Sequence, residues 1–331
     1  MAGQLWSVAA EGGYLYSDEL SDILRNALQP AQRFRQLCDA QDGTQKGLNK
    51  GQSFTWDIIS DVGTQGRELD ETQPMPETNF TISQGTMTVT EYGNSVPFTG
   101  KLQAMSKFQV VQIIEKALKN DASKLLDILA HAQFKSTPLR VAPTGGTSTT
   151  SITLTTNSAT ATTNNVALGT GHVKAIGDTM RERNVPPYTP SGDYIAISHP
   201  TTFRPVRNEL EDIHQYTGEG LSMIMNGEIG RYESFRFIEQ NNIPKGGAND
   251  STTWDAYTNT ADAWNNALSS WAFFCGADTV TEGIVLPEEI RAKLPGDYGR
   301  SKGIAWYYLG GMKIVHSAAA QGRIFMWDSA A

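Results

Sequence analysis

The sequence predicts a mixed fold of the α+β class, and three observations carry that prediction. Residues 107–135 hold an apolar stripe at helical spacing that no Gly or Pro interrupts. Residues 53–58 and 80–90 alternate apolar and polar side chains with a period of two, which is typical of half-buried strands. Beyond residue 165, short apolar strands alternate with helical segments. Helices and strands that mix along the chain in this way favour an α+β architecture.

Composition limits the class of protein. The 331 residues are 39% hydrophobic and 19% charged, which is enough apolar material for one elaborated domain or two domains. A formal charge of −8 argues against a protein that coats nucleic acid with a basic face. No apolar run approaches the roughly 20 residues that span a bilayer, and the N-terminus does not resemble a secretory signal. Two cysteines, Cys38 and Cys275, are too few for a disulfide framework and fit a reducing compartment.

The first predicted element is a short amphipathic helix near the N-terminus. Ser17 takes the N-cap position, two acids follow in the first turn, and apolar residues then recur at helical spacing until Pro30. The stretch from Asp39 to Gly51 is polar. Because the segment is too short of apolar residues to bury itself, we expect it to be an arm that packs on another surface.

The second predicted element is an extended hairpin with a long polar tip. Its strands lie around residues 53–58 and 80–90, and residues 60–79 between them contain few apolar side chains. Five acids against one arginine give this tip a formal charge of −4. A solvated loop is the simpler interpretation, but loops of this length inside a compact domain are uncommon and often functional.

The strongest predicted helix covers residues 107–135. Ser106 and Gln109 have the spacing of a capping box. At 1.5 Å per residue the helix would be on the order of 40 Å long, so we expect it to organise its domain. Its predicted apolar stripe consists of Val111, Ile114, Leu118, Ala122, Leu125, Leu129 and Ala132.

Residues 142–165 mark the predicted boundary between two parts of the chain. They carry no charged side chain and are rich in Thr, Ser, Gly, Asn and Ala, which favours a surface connection with at most a weak strand. A helix then ends before Pro186. The strands predicted after it are residues 193–198, 235–238, 271–276, 304–309, 314–315 and 323–327.

The sequence contains none of the common catalytic motifs. Gly-rich phosphate loops, the nucleophile elbow and HExxH are absent, and the five histidines lack the spacing of a zinc site. The acids at residues 209–212 and 288–289 are explained by solvated helix faces, and Cys275 by a buried thiol. We therefore predict no catalytic, cofactor-binding or metal-binding residue. This pattern favours a self-assembling structural protein over an enzyme.

Several short motifs then occur in a characteristic order from about residue 50 to the C-terminus. They are QGT at 84–86 with EYGN at 91–94, NVPP at 184–187 leading to YIAISHP at 194–200, GEIG at 227–230 before FRFIE at 235–239, and DYGR at 297–300 before GIAW at 303–306. Together with the order of elements, they resemble the major capsid proteins of tailed double-stranded DNA phages, which share the Hong Kong ninety-seven (HK-97) fold. Within that group the sequence is most similar to the N-four-type podophage capsid family.

The resemblance implies a division of the chain that the residue patterns also permit. An HK-97-like α+β fold has an N-terminal arm, an extended E-loop hairpin, a peripheral domain with a long spine helix, and an axial α/β domain. On this chain the implied parts are residues 1–50 for the arm, 51–105 for the E-loop, 106–165 for the peripheral domain, 166–265 for the axial domain, and 266–331 for strands that return to complete both domains.

The resemblance also implies a function and partners. The chain would self-assemble into hexamers and pentamers of an icosahedral shell around phage double-stranded DNA, in the virion capsid, after assembly in the cytoplasm of the bacterial host. Its partners would be other copies of itself, a separate scaffolding protein, a portal, an optional decoration protein and weakly contacted DNA, with no cofactor and no membrane. The side chains expected to contact neighbouring subunits are Trp56, Arg67, Glu68, Asp70 and Glu71.

A covalent feature of some shells of this fold is not implied here. Those shells are chained by Lys–Asn isopeptide bonds whose lysine lies in the E-loop, whereas residues 51–100 contain no lysine. We therefore expect a shell held by non-covalent contacts.

Two alternative functions stay open at this point. An encapsulin-like or other self-assembling shell would need a groove that docks cargo. An enzyme with an unrecognised site would gather titratable residues with perturbed pKa values in one pocket.

Overall fold

The structure, a computed structural model, describes residues 32–42, 53–60, 66–69, 71, 74–158, 166–214, 231–242 and 270–329. The strands are β1 (Asp39–Asp42), β2 (Ser53–Ile59), β3 (Ile82–Thr88), β4 (Thr90–Thr99), β5 (Arg140–Pro143), β6 (Ile152–Thr155), β7 (Tyr194–Ser198), β8 (Arg231–Tyr232), β9 (Phe235–Glu239), β10 (Ser270–Cys275), β11 (Val280–Ala292), β12 (Ser301–Ile314) and β13 (Ile324–Ser329). The helices are α1 (Gly100–Met105), α2 (Val110–Lys135), α3 (Thr170–Glu182) and α4 (Pro200–His214). The helix predicted after Ser17 lies outside the described residues.

A four-stranded sheet forms an elongated ribbon, in the order β1-β11-β12-β4. The long strands β11 and β12 are antiparallel and pair from Val280–Ile314 at one end to Ala292–Ile304 at the other. β4 lies antiparallel along the outer side of β12. β1 joins β11 as a parallel strand over only four residues, so within the described part of the chain the far half of β11 has no outer neighbour.

A seven-stranded sheet is covered by helices on both faces, in the order β6-β5-β13-β10-β7-β9-β8. All six residues of β10 and all six of β13 are buried. Phe273 and Met326 belong to the core that α2 closes, whereas the next residue along β10, Phe274, belongs to the core beneath α3 and α4. Because successive side chains of a strand point to opposite faces, this one sheet contributes to two hydrophobic layers.

α2 connects the two sheets. Near its middle, Trp306 of β12 donates a hydrogen bond from Nε1 to Asp121 Oδ2 (2.9 Å). Near its C-terminus, the rings of Phe134 and Phe273 pack edge to face with centroids 6.3 Å apart. One continuous core therefore runs under the whole helix.

Two details predicted for α2 are wrong. The helix begins at Val110, and the side chain of Gln109 caps nothing, because the Ser106 hydroxyl bonds to the backbone of Phe108 instead. The buried stripe also shifts by one residue in the C-terminal half, where Leu126 and Ala130 are buried. An α-helix advances 3.6 residues per turn, so the buried row drifts away from steps chosen by hydrophobicity alone. The predicted stripe members Leu125 and Leu129 are only partly buried, and Ala132 is exposed.

Elements without strong periodicity differ most from the prediction. Residues 140–155 form a hairpin, β5–β6, at the edge of the seven-stranded sheet, so a boundary at residue 165 falls after strands that belong to that sheet. β11 is not predicted, because Pro287 interrupts its pattern, and the acids at residues 288–289, expected on a helix face, lie in this strand. α4 is indicated only by the acids at residues 209–212, because Pro205 interrupts its pattern. The strands predicted at 304–309 and 314–315 are a single strand, β12.

None of the helices in the described part of the chain combines the length and the apolarity that a membrane span requires.

Candidate assembly surface

The base of the β2–β3 hairpin is buried on the ribbon. Phe54 and Met87 face each other across the hairpin and are both buried. They lie over glycines, because a Cβ at Gly283 of β11 would stand 2.4 Å from Met87 Cε and a Cβ at Gly311 of β12 would stand 3.2 Å from Met87 Cγ. Glycine in the two long strands therefore makes room for the hairpin base.

Trp56 fixes the next layer of the hairpin to the same chain. Its Nε1 donates a hydrogen bond to the carbonyl oxygen of Val315 (3.3 Å). Its ring covers Gly85, the residue opposite in β3, where a Cβ would stand 2.3 Å from the ring. The indole N–H is thus used within the subunit, and the predicted contact of Trp56 with a neighbouring copy stays a prediction.

Beyond Trp56 the hairpin exposes apolar side chains. Ile59 and Ile82 are paired across the strands and are 68% and 59% exposed. Phe80, two residues before Ile82, is 59% exposed, and Leu69 and Met75 in the tip are also exposed. Exposed large apolar residues that are grouped in this way mark surfaces that associate.

The structure brings three of the five predicted contact residues into one exposed loop. Arg67, Glu68 and Glu71 are exposed, whereas Trp56 lies apart from them near the hairpin base. Asp70 lies outside the described residues. The acidic tip is therefore free of contacts that would bury these three side chains within the subunit.

The N-terminal segment is anchored by Phe34. This side chain is fully buried, and its ring packs edge to face on His131 (5.0 Å), Phe134 (5.4 Å) and Phe273 (5.5 Å). The backbone amides of Phe34 and Arg35 donate to Asp127 Oδ1 at 2.7 and 3.2 Å. One residue thus joins the arm to the helix and to the seven-stranded sheet.

Asp127, on the buried side of α2, accepts the hydrogen bonds that the backbone amides of the N-terminal segment donate. Its second oxygen, Oδ2, accepts a hydrogen bond from Asn242 Nδ2 (3.2 Å). Burial raises the pKa of Asp127, although the hydrogen bonds from Asn242 and from the arm amides oppose that rise. An Asp between two buried apolar positions of a helix was the only signal in the sequence that pointed to this role.

Arg35 binds two carboxylates of β11. Its Nη2 lies 2.9 Å from Oε1 of the buried Glu282, and its Nη1 lies 2.8 Å from Oε1 of the partly exposed Glu288. The hydrogen bond from Arg35 lowers the pKa of Glu288. Tyr308 of β12 donates its hydroxyl to Glu282 Oε1 (2.9 Å), and burial of that phenol raises the pKa of Tyr308. Sequence reasoning missed this cluster, because Arg35 lies more than 240 residues before the other members in the chain.

A His–Asp–Arg cluster ties together the two connections between the sheets. Residues 276–279 lead from β10 to β11, and residues 315–323 lead back from β12 to β13. Across them, Asp278 Oδ2 lies 3.1 Å from His316 Nε2 and 3.1 Å from Arg323 Nη1. The hydrogen bond from His316 lowers the pKa of Asp278. Because His316 follows Val315, which accepts the Trp56 hydrogen bond, the cluster stands next to the hairpin base.

His131, His172 and Cys275 contribute to packing and hydrogen bonding within the subunit. His131 is buried beside Trp271, and that burial lowers its pKa to about 3. His172 Nδ1 accepts from the Gly169 amide at the start of α3 (3.0 Å). Burial raises the pKa of Cys275. Among the described residues, no group of three or more His, Cys, Asp or Glu is arranged to hold a metal ion.

The far end of the ribbon is a second exposed surface. Leu294 is 88% exposed, and Tyr298 is fully exposed in the turn between β11 and β12. Asp297, Tyr298 and Gly299 all have positive φ (49°, 52° and 90°), which holds the Tyr298 ring outward. Four cations lie on residues 291–302 of this end: Arg291, Lys293, Arg300 and Lys302.

Comparison with known proteins places this arrangement in a family. Residues 84–321, more than half of the chain, match the family model described as "Phage capsid protein". No curated protein sequence matches the chain significantly.

Solved capsid structures share the fold at low sequence identity. The capsid structure of cyanophage P-SCSP1u has a TM-score of 0.68 at 12% identity, covering 96% of this chain and 94% of that one. The capsid structure of Helicobacter pylori bacteriophage KHP30 has a TM-score of 0.65 at 11% identity, covering 95% of both chains. The capsid of Ralstonia phage GP4 has a TM-score of 0.63 at 14% identity, covering 99% and 98%.

These matches confirm the predicted fold class and the resemblance to HK-97-fold capsid proteins, whereas the narrower similarity to the N-four-type family stays a prediction. They do not favour an encapsulin-like compartment. With its buried hairpin base, exposed hairpin end and two sheets joined by one long helix, the chain belongs to the phage capsid protein family and is a major capsid protein of the virion shell.

Proposed function

We propose that this chain builds the shell as hexamers and pentamers, in which the β2–β3 hairpin of each copy lies on the next copy. The observation that carries the proposal is the contrast along one hairpin: its base is buried on Gly283 and Gly311, and its end exposes Ile59, Phe80 and Ile82. A two-stranded hairpin is marginal in water by itself, so its end gains stability by packing on another subunit. A contact between two different surfaces of the same chain generates rings when the rotation that relates neighbouring copies closes.

The domain division is part of the proposal. We assign the peripheral domain to the ribbon with α1 and α2, and the axial domain to the seven-stranded sheet with α3 and α4. The pairing of β5 with β13 supports moving residues 140–158 from the peripheral to the axial domain. The strands after residue 266 contribute to both, since β10 and β13 lie in one sheet and β11 and β12 in the other.

We further propose that the shell encloses double-stranded DNA and that its role is structural rather than catalytic. The formal charge of −8 supports weak, non-specific contact with DNA, because an acidic subunit does not grip phosphates. Assembly would take place in the host cytoplasm with a scaffolding protein and a portal, and with a decoration protein as an optional partner.

Electron microscopy of the protein produced in bacteria tests this function. Full-length chain, alone and with its scaffolding protein, should give closed icosahedral particles with sixfold and fivefold capsomers. A monodisperse small oligomer under both conditions would contradict the proposal.

A further inference from the structure

The exposed side of α2 carries positive charge. Lys116 and Lys119 are exposed, and Lys124, five residues later, is half-buried. Lys116 and Lys124 are eight residues apart, which corresponds to about 12 Å along the helix axis. Within the described part of the chain, no ion pair engages any of these three ammonium groups. The three charges therefore face solvent rather than a partner in the same subunit.

The acids of α2 do little to neutralise this side of the helix. Asp121 turns Oδ2 towards the ribbon, where it accepts a hydrogen bond from Trp306 Nε1 (2.9 Å). Asp127 is buried, and it accepts backbone amides of the N-terminal segment, among them that of the exposed Arg33. Glu115 is the remaining acid of the helix. The exposed side around residues 115–127 thus holds three lysines and Arg33 against one glutamate, although the whole chain has a formal charge of −8.

The acidic hairpin lies on the opposite face of the ribbon. Trp306 and Tyr308 of β12 point into the core that α2 closes. Because successive side chains of a strand alternate, Gly311, which lies under Met87 of the hairpin base, faces the other way. The tip of that hairpin, residues 60–79, has a formal charge of −4. The subunit is therefore electrostatically asymmetric, with negative charge on the hairpin side and positive charge on the exposed side of α2.

We infer that the exposed side of α2 is the surface through which the subunit contacts packaged double-stranded DNA. The inference rests on the proposed function and adds to it the face that lines the inside of the shell. Double-stranded DNA carries one negative charge per about 1.7 Å of its axis, so lysines spread over about 12 Å meet several phosphates at once. The hairpin side, being acidic, repels the same polyanion.

The chemistry of this surface predicts a weak contact that does not depend on base sequence. A lysine ammonium is a compact charge on a flexible stem, and it binds a phosphate without reading a base edge. Four cations on a subunit with a net charge of −8 attract DNA locally, while the rest of the subunit repels it. The asymmetry thus explains how an acidic capsid subunit touches its genome on one face only.

Removal of charge tests the surface in solution. Full-length unassembled protein is titrated with a duplex of about 30 base pairs and random sequence, at salt concentrations from about 50 to 200 mM. Lys116→Gln with Lys119→Gln and Lys124→Gln should weaken binding at least about tenfold at the lowest salt. The slope of log K against log salt should also become shallower by about 2–3, because each lost phosphate contact removes about 0.9 from it.

The matched control removes the same charge from other exposed sites. Lys101→Gln with Lys293→Gln and Lys313→Gln changes three exposed lysines that lie outside α2. This variant should keep the affinity for the duplex within about twofold of wild type, because its lysines are not on the DNA-binding face. Circular dichroism and the denaturant midpoint check that both variants fold as wild type does.

Lysine labelling of wild-type particles tests the same surface without any substitution. Particles filled with DNA and particles emptied of DNA are treated with an acetylating reagent, and the modified lysines are quantified by mass spectrometry. Lys116 and Lys119 should be labelled at least about threefold less in filled particles than in empty ones, because phosphates cover their ammonium groups. Labelling of Lys293 and Lys313 should be the same in both.

The outcomes separate this inference from the function on which it rests. Wild-type affinity in the α2 variant would overturn the inference, and so would an equal loss in the control, because net charge alone would then explain the binding. Equal labelling of Lys116 and Lys119 in filled and empty particles would also overturn it, and low labelling in both would place a protein on this side of α2. Failure of wild type to form shells would instead contradict the proposed function, while the titration of unassembled protein would still decide which surface binds DNA.

Discussion

The seven-stranded sheet and the ribbon with its hairpin differ in how much of their surface a single subunit buries. Helices cover both faces of the seven-stranded sheet, and β10 and β13 are buried along their whole length. The ribbon is covered by α2 on one side and leaves its far end bare. Of the ten exposed large apolar residues in the described ranges, nine lie on the hairpin, α1 or the ribbon end. The first region is thus buried within a subunit, and the second exposes the surfaces that we propose to be covered on assembly.

The largest expected effect is a difference in the free energy of unfolding between a variant of a buried phenylalanine and a variant of an exposed one. Phe34→Ala empties a fully buried site between three rings, so the free energy of unfolding of the unassembled subunit should fall by about 3–5 kcal/mol. Phe80→Ala removes an equally large but exposed ring, and the free energy of unfolding should change by less than about 0.5 kcal/mol. Denaturant unfolding measures the first quantity, and particle yield measures the loss that Phe80→Ala causes.

The comparison would fail if the two phenylalanine variants behaved alike. A subunit that Phe80→Ala destabilises as strongly as Phe34→Ala would show that the hairpin end is part of the subunit core. Hydrogen exchange on unassembled and assembled protein provides an independent check, since protection should rise on assembly at residues 74–90 and change little in β10 and β13.

A substitution of Arg35 tests whether the N-terminal segment contributes to the stability of the folded subunit. Arg35→Ala leaves the buried Glu282 with Tyr308 as its remaining hydrogen-bond donor from this cluster. Because Arg35 itself is partly exposed, water replaces some of its contacts, and we expect a loss of roughly 1–3 kcal/mol in the free energy of unfolding. Arg33→Ala is the control, since Arg33 is exposed and bonds only weakly to Gln36 (3.5 Å). Equal stability of the two variants would place the arm contact outside the folding unit.

Strong periodicity explains most of what the sequence predicts correctly. α2, β9 and the hairpin strands have apolar repeats that match the period of their element. β7, β10 and β13 contain continuous apolar runs that indicate buried strands, so the positions of all these elements follow from local pattern. Strand β11 and helix α4 contain proline and acidic residues, which weaken their local pattern. Pairing with a neighbouring strand stabilises β11, and packing on the sheet stabilises α4. Local pattern therefore predicts the elements that have a strong apolar pattern of their own, and it does not predict those that depend on packing against neighbouring elements.

The assembly surfaces were only half predictable for the same reason. The acidic tip is visible as a run of charge, so Glu68 and Glu71 were named from sequence. The far end of the ribbon is not visible in the sequence, because Leu294 and Tyr298 lie among prolines and glycines, where no periodicity indicates their exposure. Asp127 is indicated only by its place between buried apolar positions of α2, and Glu282 is not indicated at all, because a long-range contact leaves little local pattern.

A smaller, pH-dependent effect concerns the His–Asp–Arg cluster between the sheets. The hydrogen bond from His316 and the charge of Arg323 lower the pKa of Asp278 in the folded state, although burial opposes them. A carboxyl whose folded pKa lies below its unfolded value of about 3.9 stabilises the fold above that unfolded value, and the contribution disappears as pH falls through the folded pKa. Wild type should therefore be more stable than Asp278→Asn at pH 7, and the difference should vanish in acid. A difference in unfolding free energy that is independent of pH would contradict this assignment.

The smallest expected effect is no change at all, and it concerns covalent linkage between subunits. Residues 51–100 contain no lysine, and Lys101, the next lysine along the chain, lies in α1 at the far end of the ribbon. The seven-residue ladder alone places the hairpin end about 20 Å beyond its base at 3.3 Å per residue, farther than a lysine side chain reaches. The hairpin thus lacks an amine nucleophile of its own, and we expect a shell that is held by non-covalent contacts. Mature particles boiled in detergent should run as one band near 36.1 kDa, and a ladder of linked oligomers from the wild-type chain would show that another lysine supplies the bond.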